Sequence, residues 1–153
     1  MLLRGVQPAV HRYVSRLVGA DYAPDVVQEV LIAVARKLTW LTEPRLFGPW
    51  VFRIASRAAF RHVRRERRWV QADDMALDLI PAQPPPSADA LRELLESDEV
   101  SPASRAVLVL HFQEEMPLAD VAAVLEIPLG TAKSRLAYGL KALRRHLSDR
   151  RSP

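Results

Sequence analysis

The chain has 153 residues, 49% of them hydrophobic and 26% charged, which suits one ordinary domain or two small ones and is too short for a large enzyme. It has no cysteine, no apolar run near the ~20 residues that cross a bilayer and no signal-peptide core in its opening MLLRGVQP, so disulfides and thiolate chemistry are excluded and a cytoplasmic protein without membrane contact is expected. The net charge of +4 is uneven, with +8 on residues 1–70, −7 on residues 71–103 and +3 on residues 104–153.

Two basic blocks thus flank an acidic one. Charge alone leaves two readings open, a polyanion partner for the ends or ordinary solvated helix surface in an arginine-rich chain.

Proline punctuates the chain, with 12 residues against 5 glycines, and cuts it into helix-sized pieces. Apolar residues at Val6, Val10, Tyr13 or Val14, and Leu17 or Val18 keep helical spacing between Pro8 and Pro24. From Pro24 to Pro44, Val26, Val30, Val34 and Leu38 are joined by Val27, Leu31 and Ala35 in a broad apolar face. A third helix runs from about Phe47 to Arg68 with Val51, Ile54, Ala55 and Ala58 inward and Trp50 at the edge of that face. Residues 69–88, with Asp73, Asp74, Asp78 and the run Pro84, Pro85, Pro86, read as an extended acidic linker and a domain boundary.

After the linker, Ala88–Ser97 and Pro102–Glu115 read as helices. The AVLVL at 106–110 could also be a short strand, but nothing nearby pairs with it. Pro117–Leu125 and Pro128–Leu147 follow, the last with Ala132, Leu136, Leu140, Leu143 and Leu147 on one stripe. The expected fold is all-α, two small helical bundles joined by the acidic proline-rich linker, over residues 1–70, 71–97 and 98–153.

No catalytic constellation stands out. His11, His62, His111 and His146 are scattered without a second ligand three or four residues away, and no phosphate-cradling or dinucleotide glycine loop and no nucleophile elbow occurs. Asp25 and Glu29, one turn apart at a helix start, complement the helix dipole. We expect no enzyme, cofactor, metal or small-molecule substrate.

The third helix carries the stronger signal. Arg53, Arg57, Arg61, Arg64 and Arg68 are spaced 4, 4, 3 and 4 residues apart. At 3.6 residues per turn they fall within an arc of about 80°, opposite the apolar face. Such a stripe repels itself, with only Glu66 nearby, and the planar guanidinium fork suits phosphate, so nucleic acid is the expected partner over a merely solvated face.

A second signal lies at residues 117–136, PLADVAAVLEIPLGTAKSRL. A short helix, a tight turn at Leu125-Glu126-Ile127 and a second helix from Pro128 make a helix-turn-helix, with small Ala122 at the close approach. Thr131, Ser134, Arg135, Tyr138 and Lys141 point away from the leucine stripe with Lys133 on the flank, a donor-rich face suited to base edges and phosphates. The alternative is a hairpin packed for structure only.

Together these segments resemble the extracytoplasmic-function sigma factors of bacterial RNA polymerase. DVVQEVLIAVARKL at 25–38 is similar to the family's region 2.2, FGPWVFRIASRAAFRHVRRERR at 47–68 to regions 2.3 and 2.4, and residues 101–147 to region 4, where TAKSRL at 131–136 is the most specific piece. The resemblance implies that Asp25, Gln28, Glu29 and Arg36 dock on core polymerase. It implies that Arg53, Arg57, Arg61, Arg64, Arg65 and Arg68 bind the minus-ten element, and that Thr131, Lys133, Ser134, Arg135, Tyr138 and Lys141 serve the minus-thirty-five element. Core polymerase, promoter DNA and an anti-sigma protein would be the partners.

Three positions depart from the family pattern. Arg57 stands where Asn is usual, Arg61 where Asp is usual, and Glu126 at a turn position that favours Gly, where a left-handed glutamate costs about 1 kcal/mol. Family members also tend to begin with an additional acidic stretch and a longer first helix than one reaching Val6. The competing readings are an operator-binding regulator, which leaves the arginine stripe unexplained, and a helical interaction module, which explains neither basic block. The linker carboxylates Asp73, Asp74 and Asp78 are a candidate shield for the basic faces.

Overall fold

A computed structural model of the chain describes residues 2–66 and 85–151, and within them every regular element is a helix. Arg68, Trp69, the linker aspartates and Pro84 lie outside the described residues.

Helix α1 spans Leu2–Val18 and α2 spans Ala23–Lys37. Pro24 opens α2, as its fixed φ and missing N–H favour. Pro8, by contrast, lies inside α1 and not at its start, so the helix begins four residues before Val6. Pro8 is exposed, while the turns after it bury Val10, Tyr13, Val14, Leu17 and Val18 and hold the helix in place. Short 3₁₀ turns at Leu38–Trp40 and Pro44–Leu46 lead into α3, Phe47–Glu66. Helix α3 buries Val51, Phe52, Ile54, Ala55, Ala58 and Ala59 against α1 and α2, and half-buried Trp50 packs at the edge of that core, its ring 6.2 Å from Phe47.

The C-terminal helices are α4 at Ala88–Glu96, α5 at Pro102–Leu108, α6 at Leu118–Leu125 and α7 at Leu129–Arg151. Ser87 and Ser101 cap α4 and α5, accepting from the Ala90 and Ser104 amides at 3.2 and 3.3 Å. The single helix expected over residues 102–115 is instead α5 followed by a wide π turn, Val109–Gln113, and a left-handed Glu115 with φ 53°. His111 Nδ1 donates to the Met116 carbonyl at 2.9 Å, and the Met116 amide donates to Leu110 O at 3.0 Å. These bonds fix the tight exit that lets α6 turn back.

Helix α7 buries Ala132, Gly139, Ala142 and Leu143 and packs on α4, α5 and α6, with Gly139 against Leu108 of α5, whereas Leu147 at the end of the expected stripe is exposed. Helix α4 packs on α7, where Arg150 donates to Glu93 and His146 Nδ1 to Glu99 Oε1 at 2.9 Å.

The two groups of helices are also packed on each other. Helix α1 lies against α5 and α3 against α6, so the buried side chains form one continuous core. The Arg105 guanidinium is enclosed at the seam and donates to the carbonyls of Leu95, Ser97 and Val100 and to Arg16 O of α1 at 3.2 Å. Burial lowers its pKa, and the nearby Asp98 charge partly opposes that.

Candidate nucleic-acid interface

The apolar stripe that buries one side of α3 puts its arginines on the other. Arg57, Arg61, Arg64 and Arg65 are exposed, while Arg53 is half-buried with its Nε enclosed and unpartnered. Two of these cations already have partners. Arg61 Nη1 donates to Glu29 Oε1 of α2 at 2.6 Å, and Arg57 grips Glu126 with Nε donating to Oε2 at 3.0 Å and Nη2 to Oε1. The paired hydrogen bonds raise the pKa of Arg57 and hold the Glu126 carboxyl below the usual carboxylate range, with Arg53 adding to the second effect. The acids that meet the arginine stripe among the described residues are thus Glu29 and Glu126.

On α2 the outer face exposes Asp25, Gln28, Glu29 and Arg36 around a shallow groove. Ile32, 45% exposed, lies at its centre and was not singled out from the sequence. Its signal was present, since Gln28, Ile32 and Arg36 share the i, i+4, i+8 line, and an isoleucine on an otherwise polar line is unexplained by the core. Trp40, 75% exposed in the 3₁₀ turn before α3, was also missed.

Helices α6 and α7 form the helix-turn-helix. Glu126 occupies the left-handed turn position at φ 58° and ψ 42°. Its amide donates to Ala123 O at 3.3 Å and that of Ile127 to Ala122 O at 3.0 Å, the paired bonds of a Schellman ending. At the start of α7, Lys133 and, farther on, Lys141 are exposed, whereas Thr131, Ser134, Arg135 and Tyr138 are half-buried. Ser134 Oγ donates back to Gly130 O at 2.9 Å, and Arg135 Nε is enclosed without a partner. Lysines 133 and 141 are the most available cations of the expected α7 set.

Among the described residues no His, Asp or Glu cluster suited to a metal ion occurs, and no helix is long and apolar enough to cross a membrane.

This two-part helical arrangement has known relatives. The family model "Sigma-70 region 2" matches residues 2–69 and "Sigma-70, region 4" matches residues 98–145. The ECF RNA polymerase sigma-E factor of Escherichia coli K12 is 28% identical over 94% of this chain and 83% of its own length. SigW, an ECF RNA polymerase sigma factor of Bacillus subtilis, is 26% identical over 83% of this chain and 76% of its own length. SigE of Mycolicibacterium smegmatis is 31% identical over 99% of this chain and 62% of its own length. Among solved structures, the sigma factor RpoE of Bartonella quintana, crystallised with the anti-sigma factor NepR, shares the fold with a TM-score of 0.72 at 23% identity, over 95% of this chain and 94% of that one. The chain belongs to the sigma-70 family, as a sigma factor of RNA polymerase in the extracytoplasmic-function group.

Proposed function

We propose that the chain binds bacterial core RNA polymerase through the outer face of α2 and directs it to promoters. In this reading residues 1–70 take the polymerase and the minus-ten element, residues 71–97 join the halves and begin the C-terminal unit, and residues 98–153 take the minus-thirty-five element. Asp25, Gln28, Glu29 and Arg36 meet the polymerase. Arg53, Arg57, Arg61, Arg64, Arg65 and Arg68 bind minus-ten DNA, and Thr131, Lys133, Ser134, Arg135, Tyr138 and Lys141 serve the minus-thirty-five element. The chemistry of RNA synthesis belongs to polymerase, the chain itself carries no reaction, and it works in the cytoplasm. An anti-sigma protein is a further partner, by analogy with the Bartonella relative.

The observation that carries this reading is Ile32, exposed within a ring of charged and polar side chains on α2. An apolar centre with a polar rim is the make-up of a protein contact. An operator-binding regulator would account for α6 and α7 but leaves this face and the α3 stripe without a role.

The test mixes the purified chain with sigma-free core polymerase. A stable complex is expected, weakened about 10-fold or more by Ile32→Asp, as for an anchor at the centre of a contact. Failure to form a complex, with duplex DNA still bound, would overturn the reading in favour of the operator-binding regulator.

A further inference from the structure

Two of the three departures from the family pattern, Arg57 on α3 and Glu126 in the helix-turn-helix turn, lie 69 residues apart in sequence and meet in the fold. A glycine at position 126 could not make this contact, because it brings no side chain to it. Glu126 holds a backbone conformation that glycine adopts without penalty, so what glutamate adds here is its carboxylate. That carboxylate is taken by the Arg57 fork through two parallel hydrogen bonds, while Arg53 adds its charge from one turn earlier. The same seam carries Arg12 Nη2 donating to Glu114 Oε1 at 3.3 Å and Arg105 Nη1 donating to Arg16 O at 3.2 Å.

We propose that the free chain is closed on itself, with the helix-turn-helix turn docked on the arginine face of α3, Arg57–Glu126 as the latch, and DNA binding by α3 requiring α6 to leave. This rests on the reading of α3 as the minus-ten helix. Both partners of the latch are about half exposed, so the pair selects the register of docking while the apolar contacts of α6 on α3 and α1 on α5 supply most of the attraction. A phosphate offers Arg57 the same two-oxygen target as the Glu126 carboxylate, so promoter DNA competes directly with the latch. Opening is an exchange of one anion for another on the same fork.

The chain's lack of cysteine makes the test direct. Asp21→Cys and Asp149→Cys, at exposed positions in the two halves, take a dye pair for energy transfer in the free, full-length chain. A single dominant high-transfer population is expected, and Glu126→Gln and Glu126→Gly should each raise the open-to-closed ratio about 2- to 5-fold, the scale of an exposed ion pair. Gln keeps the backbone strain and Gly removes it, so a shared effect is not a folding effect. The affinity of the same chains for a mixed-sequence duplex with a single-stranded arm should rise by a similar factor. A mainly low-transfer native chain, or transfer unchanged by both substitutions, would overturn the latch. A shift in transfer with no gain in DNA binding would leave the contact standing and overturn the occlusion; the minus-ten reading of α3 fails separately, if Arg64→Ala/Arg65→Ala leaves the salt dependence of promoter binding with core polymerase unchanged.

Discussion

Tyr13 of α1 and Ser56 of α3 meet hydroxyl to hydroxyl at 2.6 Å inside the N-terminal helices, both closed off from solvent. Ser56 Oγ donates onward to Phe52 O at 2.7 Å, so Tyr13 is the donor between them, and its ring stands edge-on to Phe52 at 5.5 Å. The relay lets a Tyr and a Ser sit in an apolar core without an unpaired proton. Ser56→Ala leaves the Tyr13 hydroxyl buried and unpaired and should lower unfolding free energy by about 1 to 3 kcal/mol, whereas Tyr13→Phe removes donor and cost together and should lose about 1 kcal/mol. Urea midpoints at constant m-value check the order.

Burial pushes the Tyr13 phenol above the ordinary tyrosine range, and its bond to Ser56 opposes this only partly. The unfolded chain then loses that proton first as pH rises. Stability contributed by this group is therefore complete below a pH of about 10, the unperturbed value, and falls as pH climbs past it. Urea unfolding between pH 9 and pH 11 should show a downward slope that is shallower in Tyr13→Phe; equal slopes in the two proteins would contradict the assignment.

Gly139 of α7 is required by Leu108 of α5. A Cβ at residue 139 would lie 2.8 Å from Leu108 Cδ1, closer than packed carbons approach. Gly139→Ala should cost about 1 to 3 kcal/mol by overpacking. Adding Leu108→Ala, which clears the space, should return part of the loss, a non-additivity read from the double-mutant cycle.

The left-handed Glu126 predicts a stability effect separate from the latch. In an Arg57→Ala background, Glu126→Gly should raise stability by about 1 kcal/mol by relieving the strained φ. In the native background the gain should be smaller by the worth of the ion pair, under about 1 kcal/mol for partners this exposed. Thermal unfolding of the four proteins gives both numbers.

Arg64 and Arg65 sit on α3 beyond the contact with Glu126 and are exposed. If they neutralise phosphates, Arg64→Ala/Arg65→Ala should lower the slope of log affinity against log salt by about 2 for DNA bound by the chain with core polymerase. An unchanged slope would place the DNA elsewhere.

Much of this was legible in the sequence because helices write their faces at a 3.6-residue period. The arginine stripe, the apolar side of α3 and the turn at Leu125-Glu126-Ile127 all follow from spacing within one or two elements. What escaped was set by contacts between distant segments. Arg57 and Glu126 each read as a local oddity, and only packing of α6 on α3 makes them a pair. Proline punctuation points to a break near Pro8, yet burial of the turns after it carries the helix through. The π turn at Val109–Gln113 escaped because it keeps the apolar run of a helix and changes only which carbonyl each amide reaches. On α7 a glycine and alanines supply much of the buried face, and small residues give a weak apolar signal.

The most direct test of the central claim is transcription from a random-sequence DNA library by core polymerase with and without the chain, reading the sequences upstream of each transcript start. The expected result is initiation, dependent on the chain, downstream of two shared motifs at minus ten and minus thirty-five, with Ile32→Asp abolishing it at limiting protein. Transcripts with no shared upstream motif, in equal amount with and without the chain, would contradict it.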